Sequence, residues 1–128
     1  MIRKLLLFAT LLTWISIAGC RLPVRQSPSW AHVRSEVEKV VHTGTPLDLA
    51  EAKMSKLGFS CKMVEKGRIA YNADSANESN ISTRESCDYL HCISKVRDGL
   101  VDETRVVYLT ANGKEVEEIL FYRGFVGP

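Results

Sequence analysis

The chain predicts an α+β fold: two helices followed by a three- to four-stranded antiparallel sheet. Three observations carry that expectation. Apolar residues recur at helical spacing between residues 30 and 57, they alternate at strand spacing from Phe59 onward, and Asn112-Gly113 separates two such alternating runs. Helices and a one-sided sheet each need a partner for their apolar faces, so two packed layers are the expected architecture.

Trp30, Val33, Val37, Val40 and Val41 fall on one side of a first helix, with Arg34, Glu36, Glu38 and Lys39 between them. Ser29 is placed to cap its start and Gly44 to end it. Thr45 reads as the N-cap of the second helix. Pro46 suits the first helical position, and Asp48 stands three residues after Thr45, as in a capping box. Leu47, Ala50, Met54 and Leu57 then make an apolar face, and Gly58 suits the C′ position.

Strands follow. Phe59, Cys61 and Met63 alternate with Ser60 and Lys62. Lys66-Gly67 is a turn signal, after which Arg68–Tyr71 can return as a second short strand. Asn72–Ser82 is polar and predicts a mobile loop. It contains the sequons Asn77-Glu78-Ser79 and Asn80-Ile81-Ser82. Tyr89–Val96 is a third strand, ended by Arg97-Asp98-Gly99. Thr104–Thr110 and Glu115–Tyr122 flank Ala111-Asn112-Gly113-Lys114, a hairpin whose Asn-Gly suits a type I′ turn.

The first residues have another logic. Arg3 and Lys4 precede an apolar stretch, Leu5–Ile17, relieved only by Thr10, Thr13 and Ser16. The stretch is shorter than the ~20 residues a spanning helix needs. It ends Ile17-Ala18-Gly19-Cys20, which resembles the signal of bacterial lipoproteins. That resemblance implies cleavage before Cys20 and lipidation of Cys20 by a diacylglycerol thioether. Stable anchoring needs at least two acyl chains. The expected partner is therefore a lipid bilayer, met through acylated Cys20. Arg21 is not the aspartate that the family associates with inner-membrane retention, so the expected place is the outer membrane, facing the periplasm. The chain divides into a signal peptide at 1–19, a lipidated cysteine and tether at 20–29, and a single small α+β domain at 30–128.

Processing changes the charge. The whole chain is formally +2, and Arg3 and Lys4 account for both charges. The mature chain is near neutral and shows no basic patch with interleaved aromatics, so nucleic acid is not an expected partner.

Gly44-Thr45-Pro46 leading into a helix that ends Leu57-Gly58 resembles a segment of the SmpA/BamE-type assembly lipoproteins. The resemblance implies their fold, shared loosely with β-lactamase-inhibitor-protein-like domains. It covers residues 40–60 and departs after Gly58. Gly58-Phe59-Cys61, Leu90-Cys92 and Gly124-Gly127-Pro128 are similar to the plan of small uncharacterised bacterial lipoproteins, which implies no activity.

With Cys20 lipidated, Cys61, Cys87 and Cys92 remain. An exported protein sits where disulfides persist, and three thiols allow one bridge. Cys87 and Cys92 are five apart and face opposite ways on a regular strand. Cys61 is in phase with Phe59 and Met63, and Cys92 with Leu90. The expected bridge is Cys61–Cys92, closing a ~30-residue loop that contributes roughly 3–4 kcal/mol. The plainer reading is that both are small buried apolar residues.

Cys61, Cys87, His91 and Cys92 are zinc-ligand types, but their spacing matches no standard ligand loop. There is no CxxC redox motif. No Gly-x-Ser-x-Gly, HExxH or phosphate loop occurs. His32 and His42 lie off the first helix's apolar side. Glu115 and Glu117 share one face, most simply toward solvent. No cofactor is implied. The expected function is a non-enzymatic, membrane-anchored binding domain with an envelope protein partner, to which Phe121, Tyr122 and Phe125 could contribute a docking surface. The alternatives are an inhibitor or sensor of a periplasmic hydrolase, and a thiol or zinc protein using Cys61, Cys87, His91 and Cys92.

Overall fold

Residues 28–74 and 77–126 are described by a computed structural model. Helices α1 (Trp30–Val40) and α2 (Leu47–Lys56) precede strands β1 (Ser60–Asp74), β2 (Asn77–Asp98), β3 (Val101–Asn112) and β4 (Glu115–Val126). The leader, Cys20, the tether as far as Ser27, and Gly127-Pro128 lie outside the described residues.

Helix ends follow local chemistry. The Ser29 hydroxyl accepts from the His32 N–H at 3.2 Å and caps α1. α1 stops at Val40, four residues before Gly44. Thr45 does not cap α2: its hydroxyl accepts from the N–H of His42 instead, and Pro46, which has no side-chain acceptor, holds the N-cap place. Gly58 takes φ +91° just past α2. Its N–H reaches Ser55 O, and Phe59 N–H reaches Met54 O, which together form a Schellman close.

The strands form one antiparallel meander in the order β1-β2-β3-β4. Leu90, Cys92, Val107, Leu109, Val116 and Phe121 lie on one face and pack against Trp30, Val37, Val41, Ala50 and Met54 of the helical segment. Tyr89, Val106 and Tyr108 point the other way, as strand alternation requires, and pack with Ile69 into a second core. Arg105 to Thr110 of β3 are therefore buried without interruption, because both faces of that strand are covered.

The second cover is the sheet's own arm. The outer half of β1 pairs only with the outer half of β2, down to Asp74↔Asn77, and β2 meets β3 only from Tyr89 onward. This arm bends over the second face and reaches β4. Asn72 Oδ1 accepts from the Arg123 N–H at 3.1 Å, and Arg84 Nη2 lies 2.8 Å from Glu118 Oε2. The bend has a local cause. The β1–β2 register shifts between Val64 and Ile69, and Lys66 (φ 48°) and Ser86 (φ 56°) are left-handed on facing strands. Lys66 N–H donates to Asp88 Oδ1 at 2.8 Å, and Tyr89 Oη donates to Arg68 O at 3.2 Å. A Cβ on Gly67 would stand 2.6 Å from Val64 Cγ1 and 2.8 Å from Tyr89 Oη, so only glycine fits.

These observations correct the expected α+β fold of the BamE and β-lactamase-inhibitor-protein kind. Strands of 15, 22, 12 and 12 residues outweigh helices of 11 and 10. The helices do not form an N-terminal layer equal to the sheet; they cover one face, and a β arm covers the other. Lys66-Gly67 is a bulge inside one long strand, not a turn between two short ones. Asn72–Asp74 and Asn77–Ser82 are paired strand, not a polar loop. The β3–β4 hairpin joins at Gly113-Lys114 with only Gly113 (φ 64°) left-handed, the type II′ rather than the type I′ pattern.

Edge exposure is limited by the same devices. The α1–α2 connection lies along the start of β4, where Val116 N–H donates to Thr45 O and Gly44 N–H to Val116 O. The arm meets β4 further along, so the two together cover much of an edge that would otherwise be open to pairing.

Candidate functional site

The chain enters the domain beside a buried ion cluster. Arg105 and Glu103 follow Val107 and Leu109 in strand phase, so they lie on the helix-covered face. Arg105 is 5% exposed and Glu103 7%. Arg105 Nε donates to Glu103 Oε1 at 2.9 Å, and Arg123 Nε donates to the same oxygen at 2.7 Å. Arg105 Nη2 donates to the carbonyl oxygen of Pro28 at 2.7 Å. Burial alone would push the Glu103 carboxyl up, but the hydrogen bonds and charges of Arg105 and Arg123 outweigh it and hold it below its ordinary value. Trp30 packs edge-on with Phe121, with centroids 5.8 Å apart, and Arg34 Cζ lies 4.4 Å from the centre of that ring. The cluster thus fixes Pro28, just before α1, against β3.

At this same end the sheet stops in apolar residues. The register pairs Asp98 with Val101, Asp102 with Val126 and Glu103 with Phe125. Leu100 is 79% exposed, Val101 37%, Phe125 54% and Val126 64%. Leu49, Met63 and Ile81, the other exposed large apolar residues described, stand on three separate elements. Lys95 and Arg97 are exposed on the approach to the turn, with Arg97 Nε 3.7 Å from Asp102 Oδ1.

Among the aromatics expected to dock, Phe121 is buried in the core, Tyr122 packs under the arm, and Phe125 stands at the exposed end. Cys20 lies outside the described residues. Cys61 and Cys92 face each other directly across the β1–β2 ladder on the helix-covered side, both as free thiols. Directly opposed strand residues have Cα atoms about 4.5–5.5 Å apart, within the range a disulfide spans. Burial pushes both thiols up. The hydrogen bond between them favours the Cys61 thiolate and disfavours that of Cys92, and Glu51 adds to both upward shifts.

Cys87 sits at the bend, where its thiol donates to Glu85 O at 3.5 Å. His91 points to the second face and packs on Tyr108, with ring centroids 5.6 Å apart. The sheet therefore separates Cys61 and Cys92 from Cys87 and His91 and does not gather the four as one ligand set. Among the described residues no cluster of three or more metal-ligating side chains occurs. His32, His42, Glu115 and Glu117 are exposed.

The ion cluster escapes a sequence reading that starts the strand at Thr104. A signal was available: Glu103 and Arg105 continue the Val107–Leu109 phase. Leu100-Val101, apolar residues directly after a turn glycine, likewise mark the exposed end.

No protein family, characterised protein or solved structure matches the chain. Among the described residues no helix is long and apolar enough to cross a membrane.

Proposed function

We propose that this chain is a lipoprotein, cleaved before Cys20 and held on a membrane by acyl chains on that cysteine, whose domain is a non-enzymatic binding module of the cell envelope. The observation that carries the reading is Ile17-Ala18-Gly19-Cys20 closing a short apolar leader eight residues before Pro28. The geometry at Pro28 supports it. A buried arginine grips the carbonyl at the foot of the tether, so a pull from the membrane falls on β3 rather than on the end of α1. Arg21, not aspartate, follows Cys20, which favours the outer membrane with the domain in the periplasm. An envelope protein partner fits a domain displayed in this way.

Cell fractionation tests the reading. Wild-type protein is expected in the membrane fraction, and Cys20→Ala protein, which has no acyl acceptor, in the soluble fraction or retained with its leader uncut. Identical fractionation and identical processing of the two would defeat it.

The same location favours a Cys61–Cys92 disulfide in the exported protein. The two thiols are opposed in the ladder, and oxidation by a disulfide-bearing oxidant would join them with release of that oxidant's two thiols.

A further inference from the structure

We propose that the tip built from Leu100, Val101, Phe125 and Val126 rests in the headgroup region of the bilayer that holds Cys20. The proposal depends on acylation of Cys20.

Position comes first. The register puts the β2–β3 turn, the start of β3 and the end of β4 together at one end of the sheet. The tether leaves from this end, because Arg105, two residues beyond Glu103 and its partner Phe125, holds the Pro28 carbonyl. Eight residues, Cys20 to Ser27, lie between the lipid and that point. Fully extended they span at most about 28 Å, so the tip cannot leave the neighbourhood of the membrane. Along β3, Arg105 is four residues from Val101 at the tip and eight from Gly113 at the opposite turn, about 13 Å against about 26 Å, so the tip is the nearer end to the attachment.

Composition agrees. An isolated exposed apolar side chain needs no explanation, but several gathered at one tip do. Lys95 and Arg97 flank this one, and Arg21 and Arg25 lie in the tether. Asp102 offsets Arg97 in part. With Asp98 and Asp102 against Lys95 and Arg97 the turn is near neutral, and the tip needs to enter only ~5–10 Å of the headgroup region, while Arg21 and Arg25 in the tether sequence suit anionic lipid. Glu103 offsets one of the two charges of Arg105 and Arg123, and Arg105 is buried, so this cluster presents little of its charge to lipid.

The test uses the full acylated protein in vesicles of phosphatidylethanolamine and phosphatidylglycerol, with and without acyl-chain bromination. Leu100→Trp reports from the tip and Lys114→Trp from the opposite turn, with buried Trp30 as a constant background. Bromination is expected to quench the residue-100 reporter several-fold more than the residue-114 reporter. Val126→Trp supplies a second tip reporter should Leu100→Trp disturb the turn. Equal quenching at both ends, in protein that carries lipid and floats with the vesicles, overturns the proposal and leaves the anchor standing. Protein that carries no lipid and does not float overturns both. Weak quenching at both ends, with a detergent-soluble dimer that Phe125→Asp disrupts, would assign the tip to a second copy of the chain and overturn the proposal.

Discussion

Arg105 donates a 2.7 Å hydrogen bond to the carbonyl of Pro28, a residue 77 positions earlier in the chain. One strand of the central sheet thereby holds the chain just before α1. The same guanidinium is bound to Glu103 at 2.9 Å, and Glu103 also accepts from Arg123. Glu103 thereby ties β3 to β4, and Arg105 extends the link to Pro28.

Glu103→Gln is therefore expected to be costly. It removes the charge that compensates Arg105, which stays buried, and such a loss costs about 3–5 kcal/mol. Glu118→Gln, which breaks only the half-exposed pair with Arg84, is expected to cost under about 1 kcal/mol. Urea denaturation of both variants checks the contrast.

Acid should destabilise the domain in two steps. His91 has its pKa lowered from 6.5, first by burial and then by Lys62, so the folded state favours neutral imidazole while the unfolded chain takes up a proton. Stability from this group is complete above 6.5 and falls as pH drops through that value. Glu103 is lowered from 4.5, so its contribution falls as pH drops below 4.5. Thermal melts between pH 7.5 and 3.5 should show both declines. His91→Gln should remove the upper one and leave the lower.

Gly67→Ala should destabilise by about 1–3 kcal/mol, because its new methyl meets Val64 and Tyr89 inside a packed bend. Gly99→Ala, in an open turn with nothing within 4 Å of the added carbon, should cost only its left-handed φ, on the order of 1 kcal/mol. Chemical denaturation of the pair separates the two causes.

Cys61→Ala and Cys92→Ala should each lower the stability of oxidised protein by about 3–4 kcal/mol relative to wild type, the loop-closure contribution of a ~30-residue bridge. Under reducing conditions the gap should shrink to the packing loss alone. Cys87→Ala should show no such redox dependence. Melts with and without reductant decide it, and three alkylatable thiols in protein taken directly from the envelope would sink the bridge.

What could be read in advance followed the range of the signal. Gly58 ends α2 because a left-handed C′ residue is a local demand, met within five residues. Asn112-Gly113 marks the β3–β4 hairpin for the same reason, although the turn sits one residue later than that dipeptide suggests. The arm was not legible. Asn72–Ser82 shows no apolar alternation because its strands pair with each other, and its reach to β4 depends on Arg84 and Asn72 meeting Glu118 and Arg123, residues 34 and 51 positions away. Lys66-Gly67 looks like a turn because a bulge uses the same chemistry. Its facing partner, left-handed Ser86, carries no local signature at all. The opposition of Cys61 and Cys92 and the shared face of Glu103 and Arg105 were approachable through phase, whereas the meeting of Arg105 with Pro28, 77 positions earlier, is encoded by no spacing.

Attachment of this domain to a membrane through Cys20 is read from the intact mass of native protein extracted from membranes. The expected species begins at Cys20 and carries a diacylglycerol thioether, with or without a further acyl group on its amino terminus. A chain that begins at Met1, or at any other residue, and carries no lipid would contradict it.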